Sequence, residues 1–129
     1  MKLGIAGYGI VGKATHKGLL NNSTVIIHDT AMGTTIEDLY MCSYVFFCIP
    51  TDSEINIQLL IREIKQLKTT NPTCQIVIRS TVPVGTCRSI EKAINDKIYY
   101  MPEFLRERVW ETDCLNRPII LGSDHQPIP

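Results

Sequence analysis

The stretch Lys2-Leu3-Gly4-Ile5-Ala6-Gly7-Tyr8-Gly9-Ile10-Val11-Gly12 decides the fold class of this 129-residue chain. An apolar run of strand length, Lys2 to Ala6, leads straight into three glycines spaced G-x-G-x-x-G, and a helix-like stretch follows through residue 20. Strand, tight turn and helix in that order make a dinucleotide-binding unit. In such a turn Gly7 permits the sharp bend, Gly9 lets the backbone approach a pyrophosphate, and Gly12 lets the helix pack close to its strand. The free N–H groups of the helix N-terminus then face the phosphates. A second apolar run, Thr24-Val25-Ile26-Ile27-His28, ends in Asp29, at the spacing where an acidic side chain bonds a ribose 2′-hydroxyl. Thr30-Ala31-Met32 follows it without an arginine, so the carboxylate selects NAD over NADP, whose 2′-phosphate it would repel.

Composition supports one small-molecule domain. At 44% hydrophobic residues the chain can bury roughly two-thirds of its unfolded surface, which fits a single domain over residues 1–123 followed by a short tail, 124–129. Thirteen basic residues balance thirteen acidic ones with no basic run, which argues against nucleic acid or an anionic membrane as partner. No apolar stretch approaches the roughly 18 residues of a membrane span, and the N-terminus reads as a strand rather than a charged leader, so a cytoplasmic location is expected. The five cysteines, 42, 48, 74, 87 and 114, show neither C-x-x-C spacing nor a histidine at ligand spacing. Reduced thiols and no metal site are expected. His16, His28 and His125 form no recognisable constellation.

Strand-like runs near residues 2–6, 24–28, 44–49, 75–79, 97–100 and 118–121 alternate with helical patterns. This predicts a Rossmann-like, doubly wound α/β fold on a mainly parallel six-stranded sheet in the order 2-1-3-4-5-6. The sheet is reduced, because the connection from Asp29 to Val45 has room for a helical turn or two at Ile36 to Tyr40 but not for the outer third strand of the usual half-fold. Ile57, Leu60, Ile61, Ile64 and Leu67 recur at helical spacing, with Gln58, Arg62, Glu63 and Lys65 expected on the solvent face. Thr51 and Glu54 offer a capping box at the start of that helix, Asn71-Pro72 closes it, and a shorter helix is expected from about Cys87 to Asn95.

Ligands of open α/β sheets bind at the carboxyl ends of the strands. There the chain places the glycine turn, Asp29, Pro50-Thr51, Ser80-Thr81-Val82-Pro83-Val84-Gly85-Thr86 and Pro102-Glu103-Phe104-Leu105-Arg106-Glu107. Each piece also has a plain structural reading: Thr51 as a helix cap, Ser80-Thr81 as the end of a strand, the two glutamates as solvated side chains. Their convergence on one rim is what favours a site.

Three of these segments, Val45-Phe46-Phe47-Cys48-Ile49-Pro50-Thr51, Ile78-Arg79-Ser80-Thr81-Val82-Pro83-Val84-Gly85-Thr86 and Pro102-Glu103-Phe104-Leu105-Arg106-Glu107, together with the glycine turn, resemble the N-terminal NAD-binding domain of the UDP-glucose/GDP-mannose dehydrogenases. These enzymes oxidise a nucleotide sugar to its uronic acid with two NAD. The resemblance implies that Gly7, Tyr8, Gly9, Ile10, Val11, Gly12 and Asp29 hold the adenosine half of NAD. It also implies that Pro50, Thr51, Ser80 and Thr81 line the cofactor and reaction centre, Thr81 orienting a catalytic water. In the same pattern Glu103 is the acid/base residue beside the sugar, and Glu107 contacts the nicotinamide side. Burial suits Glu103 to that task by raising a carboxyl pKa toward neutrality.

Members of this family are about three times longer, and the later parts hold the cysteine that forms a thioester. Cys114 does not align with it. Three functional classes follow: an oxidoreductase component that works with a separately encoded substrate domain or in an oligomer, an NAD-binding module without turnover, and a protein-interaction module. The chain alone is expected not to convert UDP-glucose to UDP-glucuronate, because two-step oxidation depends on covalent capture. An apolar edge near Ile119-Ile120-Leu121 is expected to be covered by a second copy or a partner.

Overall fold

The computed structural model describes residues 2–19 and 23–101. The element order is β1 (Lys2–Ala6), α1 (Ile10–Leu19), β2 (Thr24–His28), β3 (Tyr44–Phe47), α2 (Glu54–Thr70), β4 (Gln75–Ile78), α3 (Thr86–Ile94) and β5 (Ile98–Tyr100). The five strands form one parallel sheet in the order β2-β1-β3-β4-β5. Among the described residues the expected order holds and no strand lies outside β2. The sixth strand near 118–121, the segment from Pro102 to Glu107, Cys114, His125 and the boundary at residue 123 lie outside the described residues.

Both faces of the sheet are covered, as strands of continuous apolar character require. Val45, Phe47, Ile76 and Ile78 point to one face and pack with Leu60, Ile64 and Leu67 of α2 and Ile90 of α3. The alternate residues Phe46, Cys48 and Val77 point to the other, where Ile5 and, from α1, Val11 join them. The register sets Ala6 beside His28 and Phe47, Phe47 beside Ile78, and Ile78 beside Tyr100. All five carboxyl ends therefore finish on one rim, which is the geometric condition for a shared crevice.

Strand ends fall inside the expected limits for identifiable reasons. β3 stops at Phe47 because Ile49 turns its carbonyl to the Ser80 hydroxyl at 2.6 Å and Pro50 has no N–H to offer a ladder. β4 stops at Ile78, where the N–H groups of Arg79 and Ser80 converge on the Phe47 carbonyl at 2.9 and 3.3 Å. β5 begins at Ile98, since the Lys97 N–H is taken by the Asp96 side chain.

Two details of α2 differ from the sequence reading. Its N-cap is Ser53, whose hydroxyl accepts the Asn56 N–H at 3.2 Å, while Thr51 turns away and donates to the Thr81 carbonyl. Glu63 is not on the solvent face with Gln58, Arg62 and Lys65 but is buried at 8% exposure. It stands three residues from Leu60 and four from Leu67, at the flank of the apolar stripe, and a buried histidine awaits it there.

Between β2 and β3 the chain makes two single turns of 3-10 helix, Thr30–Met32 and Ile36–Leu39. Ile36 and Leu39 drop into the core, and the buried Asn71 amide at the end of α2 donates to the Leu39 and Cys42 carbonyls at 3.2 and 2.8 Å. The Asn71 side chain, just past α2, thus ties the end of this short connection to the helix terminus.

Candidate functional site

The rim of the sheet carries a cleft of about 550 Å³ lined by Gly7, Gly9, Ile10, Val11, Asp29, Thr30, Cys48, Ile49, Pro50, Thr51, Ser80 and Thr81. Small-molecule clefts span roughly 300 to 1,000 Å³. Nine of the residues singled out from the sequence line it: Gly7, Gly9, Ile10, Val11, Asp29, Pro50, Thr51, Ser80 and Thr81. Tyr8 and Gly12 support it from behind, and Glu103 and Glu107 lie outside the described residues.

The glycine turn is built by exclusion. Gly7 sits at φ +95°, and a Cβ there would stand 2.8 Å from the Cys48 carbonyl oxygen. A Cβ on Gly12 would stand 2.0 Å from the Gly7 carbonyl oxygen, so α1 can begin this close to β1 only with glycine at that position. At Gly9 a Cβ would meet nothing within 4 Å, because the turn there faces open cleft. The first-turn N–H groups of the ten-residue α1 have no carbonyl of their own helix, and Ile10 and Val11 of that turn line the cleft.

Asp29 forms the adjoining wall through its carboxylate. Oδ2 accepts the Tyr8 N–H at 2.7 Å and Oδ1 accepts the Ala31 N–H at 2.9 Å, so the side chain ties the glycine turn to the 3-10 turn after β2. These two backbone donors, Tyr8 first, hold its pKa below the usual aspartate value. An ionised carboxylate has about four lone-pair sites, so each oxygen keeps a site for a ligand hydroxyl. Behind the turn, the Tyr8 hydroxyl meets His16 Nδ1 at 2.9 Å and packs its ring against the imidazole, pinning the turn to α1.

The far wall is held by hydroxyls spent on neighbouring backbone. Ser80 is buried and its Oγ donates to the Ile49 carbonyl, and Thr51 donates to that of Thr81. Both oxygens retain acceptor capacity. Arg79, buried beneath, donates from Nε to Thr15 Oγ1 and from Nη1 to the Met101 carbonyl, each at 3.2 Å, bracing α1 and the end of β5 against β4.

The sequence reading missed Thr30, Cys48 and Ile49 in the lining, and it gave His28 no role. His28 is buried and its Nε2 meets Glu63 Oε1 at 3.2 Å, a pairing across 35 residues that no local pattern encodes. Cys42, Cys48, Cys74 and Cys87 form no disulfide with one another. Burial raises the Cys42 pKa and pushes that of Cys74 up to about 12, so these two are packing residues. Among the described residues there is no cluster of metal-ligating side chains, and no helix is long and apolar enough to cross a membrane.

The sequence matches the UDP-glucose/GDP-mannose dehydrogenase family, NAD binding domain, over residues 30–128. Over 88 residues it is 34% identical to UDP-glucose 6-dehydrogenase of Streptococcus pneumoniae, an alignment covering 63% of this chain and 22% of that protein. Over 92 residues it is 33% identical to the uncharacterized protein MJ1054 of Methanocaldococcus jannaschii, covering 63% of this chain and 10% of that one. The chain thus corresponds to a small fraction of the length of these relatives. Among solved structures, pyrroline carboxylate reductase of Plasmodium falciparum with NADP bound superposes with a TM-score of 0.66 at 14% identity, over 99% of this chain and 50% of that one. Lactate dehydrogenase from Eimeria maxima with NADH and oxamate gives 0.58 at 12% identity, over 80% and 43%. At such identities the superpositions establish the Rossmann-like fold. The family match spans most of the chain, and the chain belongs to the UDP-glucose/GDP-mannose dehydrogenase family as its NAD binding domain.

Proposed function

We propose that this chain binds NAD in the cleft between the glycine turn and the ends of β2, β3 and β4, as the cofactor-binding part of a nucleotide-sugar dehydrogenase. The observation that carries the reading is the placement of the Asp29 carboxylate, ionised and bonded to the Tyr8 N–H, at the edge of a turn whose Gly9 faces open space. The residues fit the cofactor. Gly9, Ile10 and Val11 would face the pyrophosphate with backbone N–H groups, Gly7, Tyr8 and Gly12 would hold that turn in shape, and Asp29 would accept from the adenosine ribose. Pro50, Thr51, Ser80 and Thr81 would line the way toward the nicotinamide. Bound NAD would supply a hydride acceptor.

By the same reading Thr81 orients a water, Glu103 serves as acid/base and Glu107 faces the nicotinamide, with a nucleotide sugar as second ligand. Thioester capture would come from residues beyond these 129, on the same polypeptide or on a partner. Self-association or docking of a substrate domain would complete the site.

A second reading, an NAD-binding module without turnover, is favoured by the hydroxyls of Thr51 and Ser80, which already serve backbone carbonyls of this fold. Calorimetric titration with NAD tests what the two readings share. Binding weakened by about 1 to 3 kcal/mol in Asp29→Ala is expected, the scale of a hydrogen bond to a charged group. No binding by the wild type, or unchanged affinity in the variant, would overturn the assignment. NADH formation on adding UDP-glucose and a substrate domain separates the two readings.

A further inference from the structure

A chain of polar contacts runs from α2 to the backbone of Asp29, the residue whose carboxylate faces the cleft, and nothing in the proposed NAD site accounts for it. Glu63 is 8% exposed and meets His28 Nε2 at 3.2 Å. The opposite ring nitrogen, Nδ1, meets Thr34 Oγ1 at 2.8 Å. Thr34 in turn accepts the Asp29 N–H at 2.8 Å and lies 3.0 Å from the Asp29 carbonyl oxygen. The His28 carbonyl accepts the N–H of Gly7 at 2.8 Å, so the same residue is bonded to the glycine turn.

Each link has a physical reason. An acidic side chain inside the flank of an apolar helix face costs stability unless it is matched, and a shorter polar or apolar residue at position 63 would fill the space without that cost. The histidine ring can bond a carboxylate through one nitrogen and a hydroxyl through the other. The hydroxyl of Thr34 accepts the Asp29 N–H and has one hydrogen to give, either to His28 Nδ1 or, when Nδ1 carries its own hydrogen, to the Asp29 carbonyl; in both arrangements Nε2–H donates to Glu63 and the link from Glu63 to Asp29 is unbroken. The backbone on both sides of Asp29 is thereby fixed from beneath by Thr34, while its carboxylate is fixed from above by Tyr8 and Ala31.

We propose that Glu63, acting through His28 and Thr34, is a positioning residue for Asp29, holding its carboxylate at the place and angle that recognise the adenosine ribose. The proposal rests on the NAD reading above. Asp29 stands at the junction of the sheet rim and a 3-10 turn of three residues, an element too short to hold a side chain rigid by itself. Thr30, Ala31 and Met32 of the turn and Gly33 after it are exposed. The Glu63–His28–Thr34 chain supplies the rigidity from the core.

The test compares NAD with an analogue whose adenosine ribose lacks the 2′-hydroxyl, both by calorimetry. A residue that acts on ribose recognition loses affinity only for the ligand that has the hydroxyl, whereas a merely structural residue weakens both. For Glu63→Ala the expected result is an NAD dissociation constant raised about five- to tenfold, with the deoxy analogue changed less than about twofold. Glu63→Gln keeps an acceptor for His28 Nε2 and should stay within about twofold of wild type for both ligands. Thr34→Val removes the hydroxyl that joins His28 to Asp29 while keeping both Glu63 and His28, and should reproduce the Glu63→Ala pattern; it carries the test if Glu63→Ala does not fold. Equal weakening of both ligands, or NAD affinity at the wild-type level in folded Glu63→Ala or Thr34→Val, overturns the proposal. Failure of the wild type to bind NAD would remove the underlying reading and this inference with it, a result distinct from either of those.

Discussion

The glycine turn and the corner after β2 face the same cleft and are held by opposite means. The turn is shaped by what cannot fit: two of its three glycines stand where any side chain would strike a carbonyl oxygen within 3 Å. The corner is shaped by what must be paired, with Asp29, Thr34, His28 and Glu63 each bonded to a group from another segment. Steric exclusion by backbone atoms tolerates no side chain. A polar network is distributed, and it can be weakened one link at a time.

That difference can be broken open by substitution. The largest effect is expected at Gly12→Ala, where a methyl 2.0 Å from the Gly7 oxygen forces α1 away from β1. Overpacking against backbone should cost at least about 3 kcal/mol in urea unfolding and abolish NAD binding. A variant of near wild-type stability would show that the turn is pliable. Next is Glu63→Ala, expected to lose about 2 to 3 kcal/mol because it strands a buried imidazole N–H, with most of that recovered in Glu63→Gln. Equal losses in the two variants would mean that packing, not pairing, matters at this position.

Gly9→Ala should be the mildest for the fold and sharp for the ligand. Its methyl would point into the open cleft, so stability should stay within about 0.5 kcal/mol while NAD affinity falls. Unchanged affinity would mean the pyrophosphate lies elsewhere. A small acid effect should follow from Asp29, whose folded pKa lies below its unfolded value. Its contribution is complete above the ordinary aspartate pKa of about 3.9 and is lost as pH falls through the lower folded value. Asp29→Asn, compared with wild type by thermal melting from neutral pH down to about pH 2, should lack that component; identical acid profiles would argue that the Tyr8 and Ala31 contacts do not persist in solution.

How much of this was legible in the sequence follows from the same contrast. Gly7, Gly9 and Gly12 announce a backbone shape directly, and the apolar runs that became β1 to β5 announce their order, because parallel buried strands carry unbroken hydrophobicity. The lining residues Pro50, Thr51, Ser80 and Thr81 could be placed at the rim once the strands were ordered. The corner could not be read. Glu63 looks like one more charged residue of an amphipathic helix, and only the fold brings it to His28, 35 residues away. The helix cap was misplaced for a similar reason: Thr51 has the chemistry of a cap, but a carbonyl 30 residues distant claims its hydroxyl and leaves the role to Ser53.

The central claim is that the cleft recognises a dinucleotide through an ionised Asp29 beside the glycine turn. Its most direct test is calorimetric titration of the unmodified chain with NAD and with NADP under one set of conditions. A carboxylate with no arginine after it should make NAD bind at least about tenfold tighter, since the 2′-phosphate would meet like charge where the hydroxyl meets an acceptor. Equal affinity for the two nucleotides, or tighter binding of NADP, would contradict the account.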